Sequence, residues 1–252
     1  MKLFLVGGTV RDHLLGFPTS NDVDFAVEAA SFDEMRETLM SRGLRVWQER
    51  AEFVTLRGQM PLERMGDFGG LLSVKQGFNR SRVVVDADFT LCRAEAMYTD
   101  KRHPDVVTPA SLFVDLARRD FTVNAVAVSE DGVWFDPFEG RADAASRILR
   151  MVGNPNLRLD EDPLRMLRAF RFAVTRGLTL NKRLEFMLND PNVLVLLKTL
   201  PVERVRDEMF KAFKHDWLDA AQALSNELAG LGEAVRATFP DLWLSATLED
   251  KD

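Results

Sequence analysis

The sequence predicts an α+β fold, a head in which strands alternate with helices, followed by a part that is all helix. Three observations carry the prediction. Leu3–Ser41 reads in succession as strand, glycine turn, short helix, strand and amphipathic helix. Val83–Cys92 alternates apolar and polar residues with the period of two of a half-buried strand. From about Arg141 the spacing turns helical, and Met166, Leu167, Phe170, Ala173 and Val174 make one apolar stripe at i, i+1, i+4, i+7 and i+8.

Each element follows from its residues. Leu3–Val6 is apolar and strand-like until Gly7 and Gly8 break it; Val10–Leu15 carries a short helical pattern that Gly16 ends, and Pro18–Asn21 is a loop. Val23–Val27 alternates as a strand. Ser31 stands as an N-cap with Glu34 three residues on, which opens a helix over Phe32–Ser41. Met60–Arg82 is polar and glycine-rich with weak periodicity, so hairpins or a mobile loop outside the core are expected there, and Thr99–Pro109 is loop-like too. The helix after Pro163 leaves Arg165, Arg168 and Arg171 off its apolar stripe. Further helices are expected around Arg183–Leu188, Pro201–His215 and Trp217–Leu228, and the acidic end Leu248–Asp252 is expected to fray.

Composition removes several function classes. With 252 residues, 46% hydrophobic and 29% charged, the chain has an ordinary globular make-up and length for one large domain or two small ones. A single cysteine, Cys92, excludes an intrachain disulfide framework and a multi-cysteine zinc cluster, and His13, His103 and His215 are too scattered for a metal cluster. Leu3–Val6 is too short for a secretory signal, and no window approaches the roughly 20 apolar residues of a membrane span. The expectation is a cytoplasmic protein with no membrane partner. The net charge of −6 argues against a protein that coats nucleic acid, yet between Arg141 and Glu185 ten Lys or Arg stand against five acids. Such a segment is either a footprint for phosphates or a solvated, arginine-rich helix face.

Two patterns in the head suggest chemistry. Asp22 and Asp24 flank Val23 in a strand-like stretch, so their side chains share a side at about 7 Å spacing and could converge on divalent cations; the alternative is a solvated strand face. Just upstream, Gly7-Gly8-Thr9-Val10-Arg11-Asp12 sets a glycine turn and a helix start ahead of them. Backbone N–H groups without a Cβ can approach a triphosphate and Arg11 can bind it, or the turn is simply tight with a surface arginine. The pattern lacks the full Gly-x-Gly-x-x-Gly of a dinucleotide site and the lysine of a Walker loop.

Gly7 to Asp12, Asp22-Val23-Asp24, Arg118-Arg119-Asp120-Phe121-Thr122-Val123-Asn124-Ala125, Asp136-Pro137-Phe138-Glu139-Gly140 and Glu161-Asp162-Pro163-Leu164-Arg165-Met166-Leu167-Arg168 occur in that order. Together they resemble the class II tRNA nucleotidyltransferase and poly(A) polymerase family. The likeness covers residues 1 to about 176 strongly and Pro201 to Phe213 faintly. It implies a polymerase-β-like nucleotidyltransferase head with a mixed, mostly antiparallel sheet over residues 1–140. A helical, nucleotide-recognising neck over 141–200 and a short helical body over 201–252 would follow. The implied activity is CCA addition or repair, in which C and A residues pass from CTP and ATP to a tRNA 3′ end without a template. Two magnesium ions would assist and pyrophosphate would leave.

The resemblance also assigns roles. Asp22 and Asp24 would hold the metals, Gly7, Gly8 and Arg11 the triphosphate, and Arg119 the nucleotide. Asp162 and Arg165 would read the base edge, and Arg168 would add phosphate or structural contacts. A carboxylate accepts from an exocyclic amino group and a guanidinium donates to ring acceptors, which suits C and A and refuses U and G. Asp162 directly before Pro163 is equally suited to capping a helix. Asp88, preferred over Asp86 on the same face, would complete the carboxylate set by binding metal or helping to deprotonate the primer's 3′ hydroxyl. Asp120, Asn124 and Asp136 are read as structural.

The chain departs from the family in places. Members usually continue into further helices that grip the tRNA, so the short C-terminal part implies a minimal grip, or a homo-oligomer or partner protein that supplies it. Glu139 stands where a second glycine is usual. Addition of all of CCA, of C alone or of A alone, and a poly(A) tail on other RNA, fit the same motifs. A small-molecule nucleotidyltransferase would not need the Glu161–Arg168 motif, and a non-enzymatic RNA-binding remnant would not need Asp22, Asp24 and Arg11 together.

Overall fold

A computed structural model describes residues 1–18, 23–72, 83–96 and 106–242, in two compact units that divide between Ser146 and Arg147. Asp22, His103 and the chain end from 243 lie outside the described residues.

The first unit opens with β1 (Lys2–Val6), α1 (Gly8–Leu14), β2 (Val23–Glu28) and α2 (Phe32–Ser41), as the alternation and the glycine turn dictate. Ser31 caps α2 as expected, its Oγ accepting from the Glu34 backbone N–H at 3.1 Å, while Glu34 reaches back to the Ala30 N–H at 2.7 Å. Then come β3 (Arg45–Arg50), β4 (Thr55–Pro61), β5 (Val84–Leu91), β6 (Arg93–Ala96) and β7 (Val106–Pro109), so part of the loop expected over Thr99–Pro109 is a strand paired with β6. The unit closes with α3 (Leu112–Ala117), β8 (Ala127–Ser129), β9 (Trp134–Phe135) and α4 (Gly140–Ala145).

Among the described residues, seven of these strands form one sheet in the order β3-β4-β5-β2-β1-β8-β9. Every neighbouring pair is antiparallel except β2 with β5, so the sheet is mixed and mostly antiparallel. Period-two alternation buries Leu3 and Leu5, Val23, Phe25 and Val27, Leu56 and Met60, and Ala87, Phe89 and Leu91 on one face, under Val10, Met35 and Leu39 of the helices. Each large side chain so buried contributes about 1.5–3 kcal/mol. The expectation that residues 60–82 avoid the core is corrected over the part described. Met60, Leu62, Met65, Phe68 and Leu71 are all buried, and the Phe68 ring lies 5.3 Å from that of Phe25. Short 3₁₀ turns and the positive φ of Gly69 and Gly70 fold this stretch back on itself, which erases the periodicity a sequence reading needs.

The turn into α4 explains the Asp136–Gly140 motif. Both Asp136 carboxylate oxygens accept backbone N–H groups, from Gly140 at 2.7 Å and Arg141 at 2.9 Å. Gly140 packs on the Thr122 carbonyl so closely that an added Cβ would sit 2.1 Å from its oxygen. Glu139 adopts φ 60°, the left-handed conformation that glycine takes without strain.

The second unit holds β10 (Ile148–Leu149), α5 (Pro155–Glu161), α6 (Leu164–Arg176), β11 (Thr179–Leu180), α7 (Lys182–Met187), α8 (Pro191–Leu194), α9 (Val202–His215), α10 (Trp217–Ala223) and α11 (Ala229–Thr238). β10 and β11 pair in parallel. Of the predicted stripe of α6, Met166, Leu167, Phe170 and Val174 are buried and Ala173 is half-buried; Phe170 meets Phe213 of α9 at 6.4 Å between ring centroids. Gly177, at φ 58°, ends α6 with the left-handed cap.

Gly140→Ala is expected to cost about 3 kcal/mol or more through the backbone clash, whereas Glu139→Gly should gain about 0.5–1 kcal/mol by relieving the left-handed φ. Urea unfolding midpoints of both variants check this; a Gly140→Ala midpoint equal to wild type would refute the close approach.

Candidate active site and base-reading helix

The carboxylates are placed by strand register. β2 and β5 run parallel with Phe25 opposite Phe89 and Asp24 opposite Asp88. The two phenyl rings stack at 5.0 Å on the core face, so the two aspartates share the outer face one strand spacing, about 4.8 Å, apart. Asp24 is half-buried. Gly7 backs it so closely that an added Cβ would meet Asp24 Oδ2 at 2.9 Å, and its φ of 72° is itself a glycine conformation. Asp86 is more exposed and sits opposite Gln59 of β4.

Asp88 is not alone. Arg57, directly opposite it on β4, grips both carboxylate oxygens, Nε to Oδ1 at 2.5 Å and Nη2 to Oδ2 at 2.6 Å. Sequence reading missed Arg57; the alternation Thr55, Arg57, Gln59 against Leu56, Gly58, Met60 was the available signal.

Arg11 and Arg119 belong to one polar network in the head. Arg11, on α1, is buried; its Nε and Nη2 lie 2.8 and 2.7 Å from Asp12 Oδ1, and Nη1 donates to Asn124 Oδ1 at 3.1 Å. Asn124 in turn donates to Asp120 Oδ1 at 2.9 Å and receives Arg119 Nη1 on its backbone carbonyl at 3.3 Å. Asp120 and Asn124 thus tie the two arginines into the fold, the structural part expected of them. Asp115, which the sequence did not single out, holds both following arginines, Arg118 Nη2 at 2.6 Å and Arg119 Nη2 at 3.2 Å. Their i, i+3 and i, i+4 spacing was the missed signal. Burial alone would raise the Asp115 pKa, but the two guanidiniums outweigh it and hold the carboxyl below the ordinary value.

The base-reading candidates stand at the junction of α5 and α6 in the second unit. Asp162 Oδ1 accepts the Leu164 N–H at 3.1 Å, so it does cap the helix, and it faces Arg204 of α9 at 3.9 Å. Arg165 Nη1 donates to the Arg158 carbonyl at 2.9 Å and to Glu161 Oε2 at 3.1 Å. Arg168 lies 5.6 Å over the Phe172 ring, while Arg171 pairs with the buried Glu208 of α9 at 2.5 Å. Burial pushes the thiol of Cys92, the single cysteine, well above its usual pKa, which leaves it unsuited to nucleophilic chemistry. No helix among the described residues is long and apolar enough to cross a membrane.

Residues 3–65 and 68–150 match the family described as the poly A polymerase head domain. The CCA-adding enzyme of Levilactobacillus brevis is 38% identical over 211 residues, 83% of this chain and 46% of that protein. That of Geobacillus thermodenitrificans is 34% identical over 265 residues, 98% of this chain and 57% of its own. Among solved structures, the Bacillus stearothermophilus CCA-adding enzyme in complex with CTP superimposes with a TM-score of 0.69 at 32% identity, covering 97% of this chain and 53% of that one. A tRNA nucleotidyltransferase complexed with a primer tRNA and an incoming ATP analog gives 0.68 at 28% identity, covering 94% and 59%. Sheet order and likeness together define a head of the poly A polymerase type followed by a helical unit. The chain belongs to the poly(A) polymerase head-domain family, and it spans about half the length of the curated relatives it matches.

Nucleotidyltransferases of this family generally depend on a divalent metal. Asp24 offers the hard oxygen such an ion prefers, in a cradle that only a glycine at position 7 leaves open. Asp88 shares its oxygens with Arg57, and among the described residues no three His, Cys, Asp or Glu side chains form a metal cluster.

Asp115→Asn should lower stability by about 2–3 kcal/mol at neutral pH, since it removes the charge shared by Arg118 and Arg119. Because the folded pKa is depressed, that stabilisation is complete above the unfolded value of 3.8 and is lost as pH falls through the lower native value. Urea midpoints of wild type and variant should therefore differ at pH 7 and converge in acid; a constant gap would refute the ion-pair origin.

Proposed function

We propose that this chain adds C and A residues to the 3′ end of tRNA, drawing on CTP and ATP in the cytoplasm, with its first unit as the catalytic head and its second as the nucleotide-selecting neck and short body. The observation that carries the reading is the acidic outer face, Asp24 in register with Asp88 beside the Gly7 turn. The relatives solved with CTP, and with a primer tRNA and an ATP analog, support the substrate classes.

In this reading Asp22 and Asp24 hold magnesium, which would activate the attacking hydroxyl and stabilise the leaving pyrophosphate. Asp88 is the third carboxylate, oriented by Arg57. Gly7 and Gly8 let backbone approach the triphosphate, and Arg11 and Arg119 supply its cationic wall. Both arginines are already engaged, with Asp12, Asn124 and Asp115, so they enter the site in fixed positions. Fixed donors cost little reorganisation during reaction. Asp162 and Arg165 select the base, with Arg168 adding a phosphate or structural contact. Capping and selection do not compete at Asp162, because the cap uses Oδ1 and a nucleobase amino group can be met by Oδ2.

The test is incubation of the protein and magnesium with tRNA transcripts ending before CCA, after C and after CC, each nucleotide supplied separately. Stepwise C, C, A addition that then stops is expected, and Asp24→Ala should slow it by at least about 100-fold. Arg165→Ala should raise UTP and GTP incorporation relative to CTP and ATP. Addition of C alone, A alone or an unending A ladder would reassign the product; no incorporation on any primer would sink the reading for this chain.

A further inference from the structure

The sheet's outer face changes charge across its width. On β5 and β2 it carries Asp86, Asp88 and Asp24, but on β3 and β4 it turns basic. Arg45 is opposite Gln59, Gln48 opposite Arg57 and Arg50 opposite Thr55. Directly paired residues share a face, and Leu56 and Met60 of β4 point into the core. Arg45, Arg50 and Arg57 therefore stand together on the outer side, and all three are exposed. The acid of β3 that could neutralise them, Glu49, pairs with the inward Leu56 and bonds Arg36 of α2 at 3.0 Å on the other side. Among the described residues Arg45 and Arg50 form no ion pair.

Arg57 differs from its two neighbours because Asp88 fixes its fork with two bonds. A shallow recess of about 30 Å³ opens beside it, walled by Gln48, Arg50, Thr55, Arg57 and Asp88. Two guanidiniums face this recess and can meet an anion, while Arg57 offsets the charge of the Asp88 carboxylate beside them and the Thr55 hydroxyl donates to the Phe53 carbonyl at 3.0 Å. Trp47, at the bulge in β3, is 52% exposed and adds an aromatic surface to the same edge.

We propose that the outer face of β3 and β4, through Arg45, Arg50 and the Asp88-braced Arg57, binds the phosphodiester backbone of the RNA strand whose 3′ end is extended at Asp24. The inference rests on the RNA-extending function proposed above and names the surface that holds the strand. Geometry favours a backbone over a triphosphate. Arg45 and Arg50 flank four residue steps of β4, about 13 Å, a length that suits consecutive phosphates. The Gly7 turn lies against Asp24 from the β1 side, while β4 lies on the opposite flank, two strand spacings or about 10 Å from β2. Nucleotide and primer thus reach the carboxylates from opposite sides. An in-line displacement requires that of the attacking and leaving oxygens.

Fluorescence anisotropy of the full chain with a short labelled single-stranded RNA, titrated across salt concentration, tests the surface without turnover. Arg45→Ala/Arg50→Ala should weaken RNA binding and reduce the slope of log affinity against log salt by about 1.4, two phosphates at about 0.7 each. CTP affinity and melting temperature should stay at wild-type values, and Arg45→Lys/Arg50→Lys should restore the slope. An unchanged slope, or wild-type protein that binds no RNA, overturns the proposal. Lost CTP affinity with RNA binding intact overturns it in favour of a triphosphate site. An inactive chain whose RNA binding still depends on these arginines keeps the surface and sinks the enzymatic reading instead; active protein indifferent to them sinks the surface alone.

Discussion

The parallel pairing of β2 with β5 is the constraint on which the head depends. One register sets Phe25 against Phe89 inside and Asp24 against Asp88 outside. A slip of one residue would carry the aspartates into the core and the phenyl rings into water, so every apolar contact below the sheet also enforces the acidic face above it. Burial thereby fixes the spacing of the carboxylates, although burying a carboxylate costs free energy. The parallel pair is also the one break in an otherwise antiparallel sheet, and it brings the strand after the glycine turn beside a strand some sixty residues later.

Several arginines of the head are pre-bonded. Arg57 is clasped by Asp88, Arg11 by Asp12 and Asn124, and Arg118 and Arg119 by Asp115. An exposed arginine loses much rotamer freedom when it meets a phosphate, while one already held by a carboxylate has lost it on folding. These carboxylates thus act on the arginines: they orient cations that would otherwise sample many positions.

Much of this was legible in the sequence, and the illegible parts share a cause. β1, β2, β5, the capped α2 and the stripe of α6 follow from strict periods and local caps, which a single strand or helix displays by itself. Leu62, Met65, Phe68 and Leu71 were misread because 3₁₀ turns and left-handed glycines carry no period. Gly7, Asp24 and Gly140 were marked by local pattern. Arg57 was not, since its meaning comes from a register partner thirty-one positions away that only the folded sheet supplies. The left-handed Glu139 shows the reverse case: the sequence displayed a residue where glycine is usual, and the backbone shows why glycine suits the place.

The second unit holds a charged pair, Asp162 and Arg165, steady at a helix end. Asp162 stands just before α6 and Arg165 in its first turn, where backbone N–H groups lack helical partners. Asp162 is tied by the Leu164 N–H, and Arg165 by the Arg158 carbonyl and Glu161. Behind them α6 buries Met166, Leu167, Phe170 and Val174 and pins Arg171 to the buried Glu208 of α9, a pair that would be costly to break because it would strand a charge out of water. The position of this pair is therefore inherited from packing two turns further along the helix. In the function proposed above, that carboxylate would accept from a base amino group and that guanidinium would donate to a ring acceptor, so that protein groups would stand in for a template base.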